Sequence, residues 1–476
     1  MHHENFRERG AGENLPLFYF QYLGKTVKLS SDTTFILRHM KRQITAVLLL
    51  TALVLLPMLR TGAQTMPKDA DPKLWAQALR IHRSAIIVDG HNDITTPMYD
   101  EDFDIGSNSF GRFHTDGDIV SPGFTPYHTD LARLKMSGIT GLIFSLYVSG
   151  DYAKAGGSTS RIMNQIDAVY RAVEMYPAKL TLCTTAVQIR AAKRQGKVCA
   201  LMGLEGGHGI EDSLATLREF YRLGVRYMTL THNNTNNWAD ACCSPPKYGG
   251  LSDFGKDVVR EMNRLGMLVD ISHVSEETMS DVLDVSTAPV IFSHSSAKHF
   301  SNHPRDVSDD ILKRVTRNGG VVMVNFYPAF LDQRYLDESR ARDQKFKKQL
   351  DALKEQFGSD HAGYSAAERK LYAENPIYVP SYTKIVDHID YIAKIAGIDH
   401  VGIGSDFDGV PLLPQGMNGM EDLALVTYEM LKRGYSEKDI RKVLGENFLR
   451  AFTGAENAAK INTRKISGEG NLKKIK

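Results

Sequence analysis

The stretch Ala85-Ile86-Ile87-Val88-Asp89-Gly90-His91-Asn92-Asp93 decides how the rest of the chain is read. Its first half, Ala85–Asp89, is short, apolar and β-branched, the signature of a strand buried on both faces. Its second half ends on an imidazole and a carboxylate, His91 and Asp93. Residues two apart in an extended chain point to the same face, and such a pair suits a zinc ion. One His-x-Asp is a weak signal, so the other apolar runs carry the test. They are Gly141–Tyr147, Val198–Leu204, Tyr227–Leu230, Leu268–Ile271, Val290–Ser293, Gly320–Asn325 and His400–Gly404, which brings the runs to eight. Amphipathic stretches such as Ser160–Tyr176, Ser213–Leu223 and Phe254–Leu265 separate most of them. Alternating strands and helices imply parallel pairing. Eight units over roughly 380 residues suit an α/β closed barrel, a (β/α)8 TIM-like fold. A doubly wound open sheet is the structural alternative, and no Gly-rich dinucleotide fingerprint supports it.

Barrels of this kind carry their chemistry where the strands end, and metal-capable side chains recur there. The run ending at Leu204 is followed by Glu205, then Gly206-Gly207-His208. A carboxylate at the end of an apolar strand is costly unless paired or coordinated, and a Glu there can bridge two cations. Leu268–Ile271 leads into Ser272-His273, and Val290–Ser293 into His294. A single histidine of this kind is more often a satisfied core residue, but two on consecutive strand ends can meet one ion. The last strand leads into Ser405-Asp406-Phe407-Asp408-Gly409. Asp406 is placed to take a proton from metal-bound water, and Asp408 to hold the glycine-rich turn. Two metals can polarise a carbonyl and generate hydroxide near neutral pH. No serine nucleophile elbow or Cys–His dyad competes with this reading.

The 476 residues, 42% hydrophobic and 24% charged, are ordinary for a globular enzyme and exceed what one barrel needs. The net charge of +2 and the lack of a basic stripe exclude a nucleic-acid partner. Met40-Lys41-Arg42, the apolar run Ile44–Leu59 and the small residues around Ala63 form a signal-peptide pattern. The run is short for a membrane span, which needs about 20 residues. Residues 1–39 are therefore read as an upstream segment misread as coding, and 40–63 as a signal peptide. An uncleaved N-terminal anchor is the alternative. The expected product is exported, periplasmic or secreted, with no membrane span in the mature chain. Residues 1–63 hold eight Lys/Arg and four Asp/Glu, so the remainder carries a net charge of −2. One barrel domain is expected over 71–458, with a charged helical insertion at about 333–372 before the last strand and a frayed, polar, basic tail over 459–476. The insertion reads as a solvated surface helix. Of the four cysteines, Cys183, Cys199, Cys242 and Cys243, none has zinc-ribbon spacing. An oxidising exterior allows Cys183 to pair with Cys199, among other pairings, and the sequence selects none.

Taken together, the stretches Val88–Asp93, Gly203–Gly207, Leu230–Asn233, Asp270–His273, Phe292–Ser295, His303–Arg305, Gly320–Phe326, Gly404–Gly409 and Gly445–Arg450 resemble the membrane (renal-type) dipeptidases. These belong to the amidohydrolase-like barrels, and the resemblance runs from about Ile86 to Phe452. It implies a zinc-dependent peptidase that cleaves dipeptides, L-Xaa-L-Xaa and L-Xaa-D-Xaa, with a hydroxide activated by two Zn2+ per chain. It implies that His91 and Asp93 bind one ion, that His273 and His294 bind the other, and that Glu205 bridges them. His232 would contact the substrate and the tetrahedral oxyanion, and Arg305 the terminal carboxylate, a task for a planar fork of donors. Asp406 would handle the proton. A homodimer is implied as well. The alternative is another binuclear metallohydrolase of the same superfamily, acting on a lactone, an N-acyl amino acid or a phosphoester. Three features depart from the pattern: Asp306 where relatives often have Asn, the longer 333–372 insertion, and the adjacent Cys242-Cys243. No apolar C-terminal tail supports the lipid anchor of animal relatives.

Overall fold

The computed structural model describes residues 64, 66–115, 125–358 and 360–468, with 361 and 462–468 as backbone alone, and a short antiparallel pairing of Gln21–Tyr22 with Lys25–Thr26. The chain divides into Met1–Ala63 and Gln64–Lys476. Apart from that pairing, the expected upstream and signal segments lie outside the described residues, as do 469–476 of the tail.

Among the described residues of the second unit nine parallel strands form one sheet. They are β1 (Val88–Asn92), β2 (Gly141–Tyr147), β3 (Leu180–Leu182), β4 (Val198–Glu205), β5 (Val225–Thr229), β6 (Leu268–Asp270), β7 (Ile291–Phe292), β8 (Val321–Val324) and β9 (Val401–Ile403). Eight of them close on themselves. β2 pairs with both β1 and β4, pairing continues through β5, β6, β7, β8 and β9, and Ile403 of β9 pairs with Asp89 of β1. The closed ring removes the open-sheet alternative. β3, the strand not expected from sequence, pairs with the start of β4 outside the ring. Its three residues are too few for a periodic signal.

Local chemistry sets the alternation of strand and helix. Ser252 caps the helix Asp253–Leu265 through the Gly255 amide, and Gly266 ends it in the left-handed conformation. Val258, Val259 and Met262 line its buried face. Inside the barrel, Val88, Cys199, Leu201, Leu268, Ile291 and Val321 pack with Phe448 and Phe452 of the last helix. These are strand-start residues, so the helix Asn447–Gly468 plugs the amino end of the barrel and leaves the carboxyl end open for chemistry. That helix runs ten residues past Ala458, so the expected frayed tail is helical to Gly468. The insertion before β9 is helical, Gln333–Phe357 followed by His361–Glu374. The first of these buries Tyr335, Leu336, Ser339 and Phe346 and leaves its many charges toward solvent. Cys183 and Cys199 form a disulfide with Cα atoms 5.4 Å apart, and Cys242 and Cys243 are free. Among the described residues no helix is long and apolar enough to cross a membrane.

Candidate active site

Every metal-capable side chain expected at a strand end lies at the carboxyl end of the barrel, and they converge. His91 lies near the end of β1 and Asp93 just after it, and the pairing of β1 with β2 shifts register between Asp89 and Asn92. His91 Nε2 lies 3.4 Å from Asp93 Oδ2 and 3.2 Å from Glu205 Oε2 at the end of β4. The other oxygen of Glu205 lies 3.0 Å from His273 Nε2 and 3.4 Å from His294 Nε2. Three sets of donor atoms each fall within 4.8 Å of one another: His91, Asp93 and Glu205; Glu205, His273 and His294; His91, His294 and Asp406. Glu205 is common to the first two sets, His294 to the last two. His273, Asp406 and Asp408 all have left-handed backbones, with φ of 66°, 64° and 65°. Non-glycine residues in that region cost energy, which is typical of functional positions.

The outer nitrogens of the imidazoles fix what the inner ones can do. His91 Nδ1 lies 2.8 Å from the Tyr227 hydroxyl, whose own proton goes to the Gly90 carbonyl at 3.4 Å. His273 Nδ1 faces Asn233 Oδ1 at 3.0 Å. His294 Nδ1 faces Ser293 Oγ at 2.7 Å, and that hydroxyl donates to Asp270 Oδ2 at 2.6 Å. In each case Nδ1–H donates to the outer partner and leaves Nε2 facing inward, as a lone pair on His273 and His294, and on His91, whose pKa the neighbouring Tyr227, Glu205 and Asp93 raise well above the ordinary value despite burial, as the nitrogen where a cation would replace a proton. His273 Nε2 and His294 Nε2 are 2.9 Å apart. Two lone pairs at that distance repel unless a cation lies against both. Burial holds His273 well below its ordinary pKa and lowers that of His294, so neither carries a charge of its own near neutrality. The buried His91 Nε2 faces two carboxylates and completes a hydrogen bond to neither. The nitrogens and carboxylate oxygens match the donor types that divalent transition metals select.

The group forms the floor of a cleft of about 470 Å³ walled by Tyr147, Tyr327, Phe330, Val410 and Pro411. His232 and Arg305 line the same cleft. Burial pushes His232 down to about 4, so its ring is neutral at pH 7. Arg305 is 2% exposed, and Ser295 Oγ at 3.1 Å and the His294 carbonyl at 3.0 Å orient its guanidinium. Asp406 accepts a hydrogen bond from Asn325 Nδ2 at 2.8 Å. Asp408 turns away, accepting from the His128 amide at 2.8 Å, and holds the 125–130 loop against the last strand. The glycine after it is required for space: a Cβ at Gly409 would lie 2.1 Å from Asp93 Oδ2.

Residues 75–465 match the membrane dipeptidase family (peptidase family M19). The chain belongs to this family. As a membrane dipeptidase family member it is a metal-dependent dipeptidase. Its fold is similar to that of a probable dipeptidase, PvdM, from Pseudomonas aeruginosa, at 26% identity and a TM-score of 0.67, over 82% of this chain and 100% of that one. It also shares the fold of a metallo peptidase from Rhodobacter sphaeroides solved with a phosphinate mimic of the dipeptide L-Ala-D-Ala. There the identity is 24% and the TM-score 0.60, over 78% of this chain and all of that one.

For this dipeptidase the sequence missed the outer layer: Tyr227, Asn233, Ser293 with Asp270, and Asn325. One clue was present in Gly203, a glycine inside an apolar strand. A Cβ there would lie 2.1 Å from the Tyr227 ring, so Gly203 makes room for the tyrosine that orients His91. Asp306, the departure beside Arg305, is buried, and burial raises its carboxyl well above the usual range.

Proposed function

We propose that this membrane dipeptidase hydrolyses dipeptides, L-Xaa-L-Xaa and L-Xaa-D-Xaa, at two zinc ions. His91 and Asp93 would hold one ion, His273 and His294 the other, with Glu205 between them. The observation that carries the reading is the convergence of inward lone pairs around Glu205 beside a buried arginine in the same cleft. Ions bound there supply Lewis acidity, polarising the scissile carbonyl and acidifying water. The protein's own residues do the rest. Arg305 receives the substrate's terminal carboxylate on the donors left free by Ser295 and His294. The neutral His232 donates to the carbonyl oxygen as it gains charge. Asp406, held by Asn325, accepts the proton of the attacking water and returns it to the departing amine. Tolerance of a D-residue at the carboxyl side is supported by the ligand of the Rhodobacter sphaeroides relative, a mimic of L-Ala-D-Ala.

Export to the periplasm or exterior fits the same reading. The apolar run Ile44–Leu59 has signal-peptide character, and the Cys183–Cys199 disulfide suits an oxidising compartment.

The test is hydrolysis of L,L, L,D and D,D dipeptides by zinc-loaded protein, repeated with chelator. Turnover of L,L and L,D substrates that chelation abolishes is expected, and no turnover across the panel would contradict the proposal. In Arg305→Ala, kcat/KM for free dipeptides should fall by about 100-fold. The loss should be much smaller for dipeptide amides. Equal losses for both would remove the carboxylate role.

A further inference from the structure

The adjacent Cys242-Cys243 stands in the loop between His232 and the helix Asp253–Leu265, and the chemistry above leaves it unused. Cys243 is exposed and lines the catalytic cleft, whereas Cys242 is half-buried behind it.

The turn that carries them is tied to the site at several points. The Cys242 amide donates to the His273 carbonyl at 2.8 Å, and Ala241 bridges Val274. Ser244 Oγ donates to the Asn233 carbonyl at 2.8 Å, and the Asn233 side chain is the outer partner of His273. A change at the thiols is therefore felt both in the cleft wall and at the backbone that carries His273. The molecule already carries one disulfide, between Cys183 and Cys199. That bridge is buried, with Cys183 1% and Cys199 0% exposed. The pair at the cleft is the part of the cysteine chemistry that small solutes can reach.

We propose that Cys242 and Cys243 form a dithiol modification site at the mouth of the cleft, taking low-molecular-weight disulfides, and that closing it weakens substrate binding. Cys243, the exposed member, attacks one sulfur of the small disulfide as its thiolate. A protein–small-molecule disulfide forms, the small disulfide's S–S bond breaks, and the departing thiolate takes up a proton. Cys242 then attacks the Cys243 sulfur, the Cys242–Cys243 bond forms, and the second small thiol leaves with a proton. The protein loses two electrons and two protons, and the small disulfide gains both. Adjacency makes the second step intramolecular, so the mixed disulfide is transient in the intact pair.

The consequence for activity rests on the cleft being the substrate site, but the thiol chemistry does not, so two readouts separate the claims. Zinc-loaded full chain, with the cleft pair first reduced by a water-soluble phosphine, is exposed to oxidised glutathione. Mass spectrometry of the peptide containing 242–243 should show the loss of two hydrogens, and Cys242→Ser should stop at one glutathionyl adduct on Cys243. In the oxidised wild type, KM for a dipeptide should rise by about threefold or more with kcat little changed, the pattern of lost ground-state binding. Phosphine should reverse it while the buried bridge stays intact. The proposal is overturned if both thiols stay free, if Cys243 joins chains in place of Cys242, or if the vicinal bond forms without moving KM. Absence of any dipeptide turnover would instead count against the function proposed above, because the mass readout would be unaffected.

Discussion

At the scale of single residues, the site depends on atoms one layer outside the metal-capable side chains. Tyr227, Asn233 and Ser293 each accept a hydrogen bond from an imidazole Nδ1 and thereby aim the opposite nitrogen inward. Removing such a partner should leave the fold intact and loosen the ion. In Tyr227→Phe, metal affinity measured by competition with a chelator should fall by about 10- to 100-fold. Unchanged affinity would show that the hydroxyl does not set the His91 tautomer. The inner layer could be read directly from sequence, because His91, Asp93, Glu205, His273, His294 and Asp406 each follow an apolar strand. The outer layer could not. Tyr227 reads as one more apolar strand residue, and Ser293 as the polite end of a run. Their role comes from which strands become neighbours, which sequence spacing does not state.

At the scale of elements, eight strands were visible because each is a short apolar run bounded by polar or glycine-containing segments. Most of their observed limits moved by a residue or two: Gly141–Tyr147 is unchanged, and Val290–Ser293 shrinks to Ile291–Phe292, whereas the first strand, expected over Ala85–Asp89, lies three residues later at Val88–Asn92. β3 escaped because three residues beside the ring need little hydrophobic pattern. The interior of β4 makes a testable demand. Gly203→Ala would drive a methyl group into the Tyr227 ring. Overpacking of this kind costs about 1–3 kcal/mol. The urea midpoint should fall accordingly, and zinc affinity should fall with it as Tyr227 is pushed from His91. A stable variant with native affinity would mean that the barrel axis has slack. The tail misled for a physical reason: its polar, basic composition is that of a frayed end, yet the helix is already nucleated by the packing of Phe448 and Phe452.

At the scale of the whole molecule, the ends of the barrel unit are clamped together by a buried histidine. His82, on the helix Pro72–Ser84, faces Thr427 Oγ1 and the Ser137 carbonyl, each at 2.7 Å. Burial pushes its pKa down to about 4 from 6.5. The unfolded chain therefore binds this proton first as pH falls, so stability is whole above about 6.5 and is lost toward 4. At pH 5 the loss from this one residue is about 2 kcal/mol. His82→Gln should accordingly lose about 2 kcal/mol less than the parent between pH 7 and pH 5 by urea unfolding. Equal losses in both proteins would place the acid sensitivity elsewhere. The same global closure brings positions 91 to 406 around one point, and anomalous diffraction at the zinc edge on crystals grown with zinc examines that most directly. The account predicts two peaks about 3.5–4 Å apart, one against His91 and Asp93, the other against His273 and His294, both touching Glu205. Peaks away from Glu205, or none at the floor of the cleft, would contradict it.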